Sequence, residues 1–554
     1  MYRKTKFPVV FVNAPSISSS KVELPGDPVS ILYASRALFS ALRDKSFNSA
    51  ILPEVVMHRG RPVYDPRIWD RQSKQEFSEM IARAMPQVAF FCAYSPSHPY
   101  ALEMAEKVKE ISPNTLVVFG GKHQDETLSY DPFLKRYNLS NYNTMKLIKE
   151  GKAPPVVDIV VAGEGEQPIR FIAEEVGNLL GLEGRLNVKD FLRRLNSRKE
   201  AIGNLEGRSV FASVFNGEVD LTPTSYKPNS LFDLGSPYNF FPITTKNPIF
   251  LKPDGTPKVT TNIVTLRGCK NSCIYCSESV LLNRDRLSRD THVKKTLDRV
   301  VEDVALGSES AFFDDSVFFR GNLNSIQEFA RNLTSMKEIA RQNPSDALSH
   351  RLANFEYAVQ LCVEDVVQEQ NSGRVLEVLR DLKDSGCTYV YTGIESLDDE
   401  VMRNVQKFKK NDTTIYSGWF QKVDAALGLF KQAGLRVGAS LLFGIPGETP
   451  ETIRNTFALA RRLLSENKLY LVSPNLCSYH PGTKLTQLHY PDGTLDYVSL
   501  PVYKDNLLLF FEEASENHLS KILTRPMIEQ INSELPSLAN LNSHTIQDSL
   551  NGQG

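Results

Sequence analysis

Three of the seven cysteines in this 554-residue chain, Cys269, Cys273 and Cys276, fall within eight residues at a C-x3-C-x2-C spacing. Thiols so placed read as the ligand set of one metal centre. A structural zinc site closes four ligands, and neither a fourth cysteine nor a paired histidine stands near the loop in sequence, Cys362, Cys387 and Cys477 being distant and isolated. A [4Fe-4S] cluster takes four thiolates when complete, so three leave one iron open to a ligand from outside the chain. The chemistry on offer is that of an iron–sulfur centre with an open position.

Other residues with chemistry gather at the ends of short apolar runs. Asp314 and Asp315 follow Phe313, Glu395 and Ser396 close Tyr391-Thr-Gly-Ile-Glu-Ser396, and Gly444, Pro446, Gly447, Glu448 and Thr449 follow Leu442-Phe443. Carboxylates buried in such places need cationic partners, and acceptors are what an ammonium group needs. Gly444, Pro446, Pro481 and Gly482 read first as turn residues. Thr449 is placed to cap the helix after it. Earlier in the chain, Tyr94-Ser95-Pro-Ser97, Gly120-Gly121-Lys122-His123 and Gly163-Glu164-Gly165-Glu166 end three further apolar runs, where glycines allow a close backbone approach or simply a tight turn.

The elements that must hold these residues alternate. Residues 8–13, 87–93, 115–119 and 157–162 read as strands, with helical stretches at 31–42, 100–111 and 168–180, which predicts a doubly wound α/β domain over 1–180 with ligands at the carboxyl ends of its strands. Residues 181–260 read as a linker with a helix-compatible stretch at 186–202. From 261 to 490 six strands are predicted, at 262–266, 311–313, 357–363, 389–392, 437–443 and 470–474, separated by helical stretches such as 292–305, 374–385, 416–433 and 450–465. Barrel chemistry sits at the carboxyl ends of strands, where the motifs fall. The region 491–554 carries an apolar run at 506–511, a helix at 515–523 that Pro526 should end, and a polar tail from Asn540 that should be disordered.

The cysteine spacing, with Tyr275 directly before the third thiol, resembles the signature of the radical S-adenosylmethionine (radical SAM) superfamily. That resemblance implies a partial (β/α)6 barrel in which the amino acid end of S-adenosylmethionine binds the open iron and one electron cleaves the sulfonium to give a 5′-deoxyadenosyl radical. It places Asp314 and Asp315 where the family has its "GGEP" loop. It also makes Glu395 and Ser396 similar to the "GIES" segment, and Gly444 and Pro446 similar to the "GxPGET" turn behind the adenine. These, with Tyr275, are the implied S-adenosylmethionine contacts. His480-Pro481-Gly482-Thr483 is similar to the "PGT" turn that closes the barrel. The three glycine- and serine-containing turns upstream resemble those of the Rossmann-like cobalamin-binding domain found ahead of many such barrels. The implied cobalamin contacts are Ser95, Gly120, Gly121, Lys122, Gly163, Glu164 and Gly165. The first loop, Asn13 to Ser20, departs from the Asp-x-His-x-x-Gly pattern of cobalamin-dependent mutases. Without a histidine there, and with His98 and His123 read as surface or hydrogen-bonding residues, the lower face of cobalt is expected to lack a protein histidine.

Composition narrows the partners. With 64 basic and 65 acidic residues the net charge is −1, so no long-range field recruits nucleic acid or an anionic membrane. No apolar run approaches the ~18 residues of a membrane helix, and the basic, then apolar N-terminus reads as a first strand and not as a signal peptide. An oxygen-sensitive cluster suits a reducing cytoplasm. The leading expectation is a cobalamin-dependent methyltransferase acting on a carbon of a small molecule or peptide, with a flavodoxin- or ferredoxin-type electron donor. The alternatives are a cyclase or rearrangement enzyme built on the same modules, and a non-catalytic cobalamin or iron–sulfur sensor. A methylthiotransferase is disfavoured, since only Cys92 precedes the barrel cysteines.

Overall fold

The computed structural model describes residues 6–15, 28–66, 68–131, 133–225, 232–280, 282, 292–369, 373–407, 413–500 and 518–550. The amino-terminal half carries strands β1 (Lys6–Asn13), β2 (Leu52–Val55), β3 (Val63–Tyr64), β4 (Val88–Cys92), β5 (Leu116–Gly120), the hairpin β6 (Leu128–Asp131) and β7 (Arg136–Leu139), β8 (Ile159–Gly163), β9 (Ser209–Phe215) and β10 (Glu218–Pro223). Apart from the hairpin they form one sheet in the order β10-β9-β8-β5-β4-β1-β2, with β3 also on β1. The strands from β2 to β8 are parallel, and the winding direction reverses between β1 and β4, the crevice where doubly wound sheets take ligands.

Central strands buried on both faces read as unbroken apolar runs, and β1 shows why. Val9 and Phe11 enter the core beneath helices Val29–Arg43 and Glu166–Glu183, while Val10 and Val12 enter the core beneath Arg71–Ala84 and His98–Ile111.

The second sheet contains β11 (Lys246–Leu251), β12 (Pro257–Ile263), β13 (Ser310–Phe313), β14 (Glu356–Gln360), β15 (Cys387–Glu395), β16 (Arg436–Phe443) and β17 (Leu471–Leu476) in chain order. The six strands β12 to β17 are parallel and β11 adds an antiparallel edge. With their crossover helices they make a partial (β/α)6 barrel. Thr449 caps Pro450–Ser465 as expected, accepting the Thr452 N–H at 3.2 Å while the Thr452 hydroxyl takes the Thr449 N–H at 2.9 Å.

Three expectations need correction. Residues 181–260 are not a linker: helices Val188–Ser197 and Lys199–Gly203 lead into β9 and β10, and β9 pairs antiparallel with β8, so the first domain runs to about residue 225 and β11 belongs to the barrel sheet. This hairpin half-buries its strands, and its mixed polar and apolar residues hid it among turn-forming ones. Pro526 does not end a helix but sits at the start of one, Arg525–Leu550, where a missing N–H costs nothing. The tail from Asn540 continues that helix. Leu535 and Leu538 are buried and Asn542 exchanges hydrogen bonds with the Val472 backbone at 2.8 and 3.0 Å, so packing against Pro450–Ser465 and β17 overrides a polar composition. The apolar run 506–511 and residues 515–517 lie outside the described residues, and 518–523 form turns and a bridge.

Candidate active site between the two sheets

The carboxyl ends of the two parallel sheets face one another, and the motifs meet there. The cysteine loop leaves β12 and is tied at both ends. Asp315, just past β13, accepts the N–H groups of Thr265 at 2.7 Å and Leu266 at 2.9 Å and also the Thr265 hydroxyl. Burial raises its carboxyl to about 6 against these bonds. Asp315 therefore orients the loop through its backbone, and is not available as the expected S-adenosylmethionine contact. Farther along, Ser272 and Ile274 donate to the carbonyls of Lys407 at 3.4 Å and Val405 at 3.2 Å, and the Ile274 carbonyl accepts Leu485 N–H at 2.9 Å.

The three loop cysteines are free thiols, and burial raises all three, Cys276 to about 12. Among the described residues no group of three or more His, Cys, Asp and Glu side chains converges on one point. What fits a cluster is the donor set: three thiols on one pinned loop at one barrel mouth. Cys362, isolated in sequence, is not isolated in space, since its sulfur accepts the Asn271 side-chain amide at 3.1 Å inside the cysteine loop. Cys387 and Cys477 lie in the barrel core, as packing residues do.

Around this loop stand the other barrel-mouth residues. Asp314 is partly buried, and burial and its neighbour Asp315 raise its carboxyl to about 7, with Lys122 opposing. Glu395 has φ +65°, a region costly for a residue with a side chain, at an irregularity in the β15 register. Its carboxylate faces Lys407 Nζ at 3.2 Å, and its charge, after burial, helps hold the Tyr275 hydroxyl well above the usual tyrosine range. A Cβ on Gly393 would lie 2.3 Å from Glu395 Oε1, so that glycine leaves room for the fold-back. Lys407, fully within the mouth, also reaches Glu364 at 3.1 Å and the Gly393 carbonyl at 2.5 Å. Burial alone would lower Lys407, but Glu364 and Glu395 hold it well above the usual lysine range.

Three expected contacts are engaged elsewhere. Ser396 faces the helices: its hydroxyl pairs with Thr456 at 3.3 Å and accepts Asp398 N–H at 3.2 Å. Gly444, φ +95°, is required by packing, because a Cβ would meet Leu523 at 2.7 Å, and the Pro446 carbonyl accepts the Asn404 amide at 3.1 Å.

The first domain contributes Tyr94 to Ser97, Gly121 to Glu126 and Gly163 to Glu166. Lys122 pairs with Glu278, two residues past Cys276, and lies 5.7 Å from the Tyr94 ring. Glu166 meets Arg267, two residues before Cys269, at 2.5 Å and Arg36 at 3.4 Å; Glu164 lies 3.9 Å from Arg267. Both Glu166 and Arg36 are essentially inaccessible to solvent. From the Val29–Arg43 helix, the Tyr33 hydroxyl accepts Val264 N–H at 3.1 Å and donates to the Asn262 carbonyl at 3.3 Å. Glu126 accepts the Ser95 hydroxyl at 2.7 Å and faces His480 at 3.3 Å, and Gly482 packs on the Glu126 carbonyl. Thus Lys122 and Glu164, expected to touch cobalamin, hold the cysteine loop to the first domain.

The glycine turns do not by themselves mark a cofactor cradle. Gly121 (φ +96°) and Gly163 (φ +93°) are demanded by the chain, since a Cβ would come 2.6 Å from the Ala93 carbonyl and 2.0 Å from the Arg208 carbonyl. Gly165 lies against Ala34, whereas at Gly120 a Cβ would meet ordinary contacts at 3.5 Å. His98 and His123 are buried and not at the surface. Their rings stack 3.9 Å apart; His98 bonds the Tyr497 carbonyl at 2.7 Å and Thr144 at 2.9 Å, and His123 bonds Ser95 at 3.0 Å. Asn13 donates to Asp65 at 2.8 Å, and residues 16–20 of the first loop lie outside the described residues. The polar atoms left without a partner here belong in part to Arg208, whose Nε and Nη2 are buried.

Lys407, Glu364, Arg267, Glu278 and Asp125 were not legible as site residues, because each acts through a partner far away in sequence. Glu166 stood in a recognised turn, but its partner Arg267 did not announce itself.

Residues 263–460 match the Radical SAM superfamily. An uncharacterised methyltransferase of Pyrococcus horikoshii is 22% identical over 411 residues, covering 74% of this chain and 71% of the relative. The anaerobic magnesium-protoporphyrin IX monomethyl ester cyclase of Cereibacter sphaeroides is 22% identical over 394 residues, covering 71% of this chain and 52% of that protein. Among solved structures, the radical S-adenosylmethionine methyltransferase TsrM of Kitasatospora setae, determined with cobalamin and a [4Fe-4S] cluster, superposes with a TM-score of 0.53 at 17% identity, covering 87% of this chain and 77% of that one. No helix among the described residues is long and apolar enough to cross a membrane. In this chain a cysteine loop lies at the mouth of a partial barrel and faces the switch-point edge of a doubly wound sheet; the barrel part, residues 263–460, matches the Radical SAM superfamily, and the fold of the chain is similar to that of TsrM.

Proposed function

We propose that this enzyme transfers a methyl group from methylcobalamin to a carbon of a small-molecule or peptide substrate, after reductive cleavage of S-adenosylmethionine at a [4Fe-4S] cluster held by Cys269, Cys273 and Cys276. The observation that carries this reading is the apposition of the cysteine loop and the carboxyl-end edge of the first domain's sheet, joined by Glu166–Arg267 and Lys122–Glu278. When bound, the cluster supplies the electron that breaks the sulfonium, and the cobalamin carries the methyl group.

The chain's residues do the rest. Asp314 accepts from the ammonium group of S-adenosylmethionine, a role its partial exposure suits, and the cation offsets the burial and the Asp315 charge that raise its carboxyl to about 7. Lys407 fixes Glu395 at the mouth, where it orients the same cofactor. Asp315 holds the cysteine loop in register with β13. The Lys122–Glu278 pair closes the seam between the domains. A flavodoxin- or ferredoxin-type donor supplies the electron.

The Cereibacter relative favours a second reading, cyclisation or rearrangement by the same two modules. Product mass separates the two, since only methylation adds a methylene unit. The test is anaerobic purification, cluster reconstitution and incubation with reductant, S-adenosylmethionine, cobalamin and candidate substrates. Methylation requires S-adenosylhomocysteine formation that depends on both cluster and cobalamin. Absence of both S-adenosylhomocysteine and 5′-deoxyadenosine would overturn the assignment.

A further inference from the structure

Arg208 opens β9 just after Gly207 (φ +101°) and is only 8% exposed. Its backbone is occupied: the N–H donates to Glu164 Oε2 at 3.3 Å and the carbonyl accepts Glu164 N–H at 2.9 Å. Its guanidinium is not, for Nε and Nη2 are buried and without a hydrogen-bond partner. The carboxylates near this turn are engaged elsewhere. Glu166 serves Arg267 and Arg36, Glu164 serves the Arg208 N–H and faces Arg267, and Asp125 accepts the Gly163 N–H. A second orphan flanks the same turn. The Ser225 hydroxyl is buried without a partner, one residue after Thr224, whose own hydroxyl donates to the Gly207 carbonyl at 2.6 Å and accepts Ser209 N–H at 2.9 Å.

A guanidinium keeps its charge at any working pH. Buried and unpaired it is strongly unfavourable, so a chain that keeps one has a use for an anion there. The turn stands on the carboxyl-end rim of the sheet, three strands from β4 at the switch point, or about 14 Å at the usual strand spacing. A ligand centred on the switch point and reaching Arg208 must extend an anionic arm along the rim. Cobalamin has such an arm, the nucleotide loop with its phosphodiester, whereas cobinamide lacks it.

We infer that Arg208, with Ser225 beside it, is the oxyanion site for the phosphodiester of a corrinoid's nucleotide arm. The inference rests on the cobalamin reading above. A planar fork of donors matches phosphate oxygens, and the contact would select corrinoids that carry the complete lower loop.

The test uses the full chain. Hydroxocobalamin and diaquacobinamide are titrated, followed by corrin absorbance, into the wild type, Arg208→Met and Arg208→Lys. Arg208→Met should weaken cobalamin binding roughly tenfold to a hundredfold, as expected for one charge-assisted contact. It should leave cobinamide binding unchanged, and Arg208→Lys should recover part of the loss. Without corrinoid, Arg208→Met should melt no lower than the wild type, because it replaces an unpaired buried charge by an apolar side chain; a clear drop in Tm would make the residue structural and overturn the inference. Equal losses for both corrinoids, or no loss for either, would also overturn it. Calorimetric binding of inorganic phosphate to the corrinoid-free wild type, lost in Arg208→Met while cobalamin affinity holds, would assign the site to a free oxyanion instead. A wild type that binds cobinamide and cobalamin equally refutes the phosphodiester contact alone, whereas one that binds neither refutes the cobalamin reading and the inference with it.

Discussion

Cys269, Cys273 and Cys276 differ from Cys362 in what surrounds them, and iron content should report it. Each of the three, changed to Ala, should lose the cluster, since two thiolates do not hold what three held. Cys362→Ser should keep it, because that sulfur is engaged with the Asn271 amide and packs beneath the loop. Four irons retained in any of the first three variants, or iron lost on Cys362→Ser, would reverse the ligand assignment. Asp314 makes a pH-dependent claim. Burial and Asp315 raise its carboxyl to about 7, and only the ionised form accepts from an ammonium. The affinity for S-adenosylmethionine should therefore rise as pH increases towards about 7 and then level off, the free chain binding one proton more than the complex below that point. Asp314→Asn should bind more weakly and with a flatter profile, measured by equilibrium dialysis between pH 6 and 8. A wild-type affinity independent of pH would remove Asp314 from the pocket.

At the scale of elements, the turns after β5 and β8 separate what the backbone needs from what a ligand needs. Gly121→Ala and Gly163→Ala push a Cβ into carbonyls at 2.6 and 2.0 Å from a positive φ, so each should cost about 1–3 kcal/mol or more and lower Tm whether or not cobalamin is present. Gly120 has ordinary room and no positive φ, so Gly120→Ala should fold like the wild type. Only a loss of corrinoid binding in that variant would argue that the ligand passes over this turn. The same comparison divides Asp315 from Asp314. Adjacent in sequence, one is consumed by Thr265 and Leu266, and the other is left at the mouth.

At the scale of the whole molecule, the buried ions at the seam make the domains one functional unit. Glu166→Gln leaves Arg36 and Arg267 without their shared carboxylate, and breaking one side of a buried pair typically costs about 3–5 kcal/mol. Because Arg267 stands two residues before Cys269, the loss should also disturb the loop. The expected readout is a chain that still assembles iron and cleaves S-adenosylmethionine to 5′-deoxyadenosine, but yields less methylated product per cleavage. Unchanged stability and unchanged coupling would reduce the pair to a surface-like contact.

The sequence by itself determined the parts whose information is local. The cysteine spacing, the apolar runs of β1, β4, β5 and β8, the helices with clear periodicity and the Thr449 cap were legible because neighbouring residues create them. It did not determine that residues 181–225 extend the first sheet, since strand pairing through β9 is decided by an edge more than forty residues upstream. Nor did it reveal that the helix after Pro526 runs through the polar tail, which burial against Pro450–Ser465 stabilises. The site divided along the same line. Spacing picked out the three thiols, but only the tertiary structure set Asp315 against the loop backbone, turned Ser396 into the helices, brought Cys362 beside Asn271 and joined Glu166 to Arg267. Each of those roles belongs to a pair of residues distant in the chain: the first three pairs exist only once the barrel has assembled, and Glu166–Arg267 only once the carboxyl ends of the two sheets face one another.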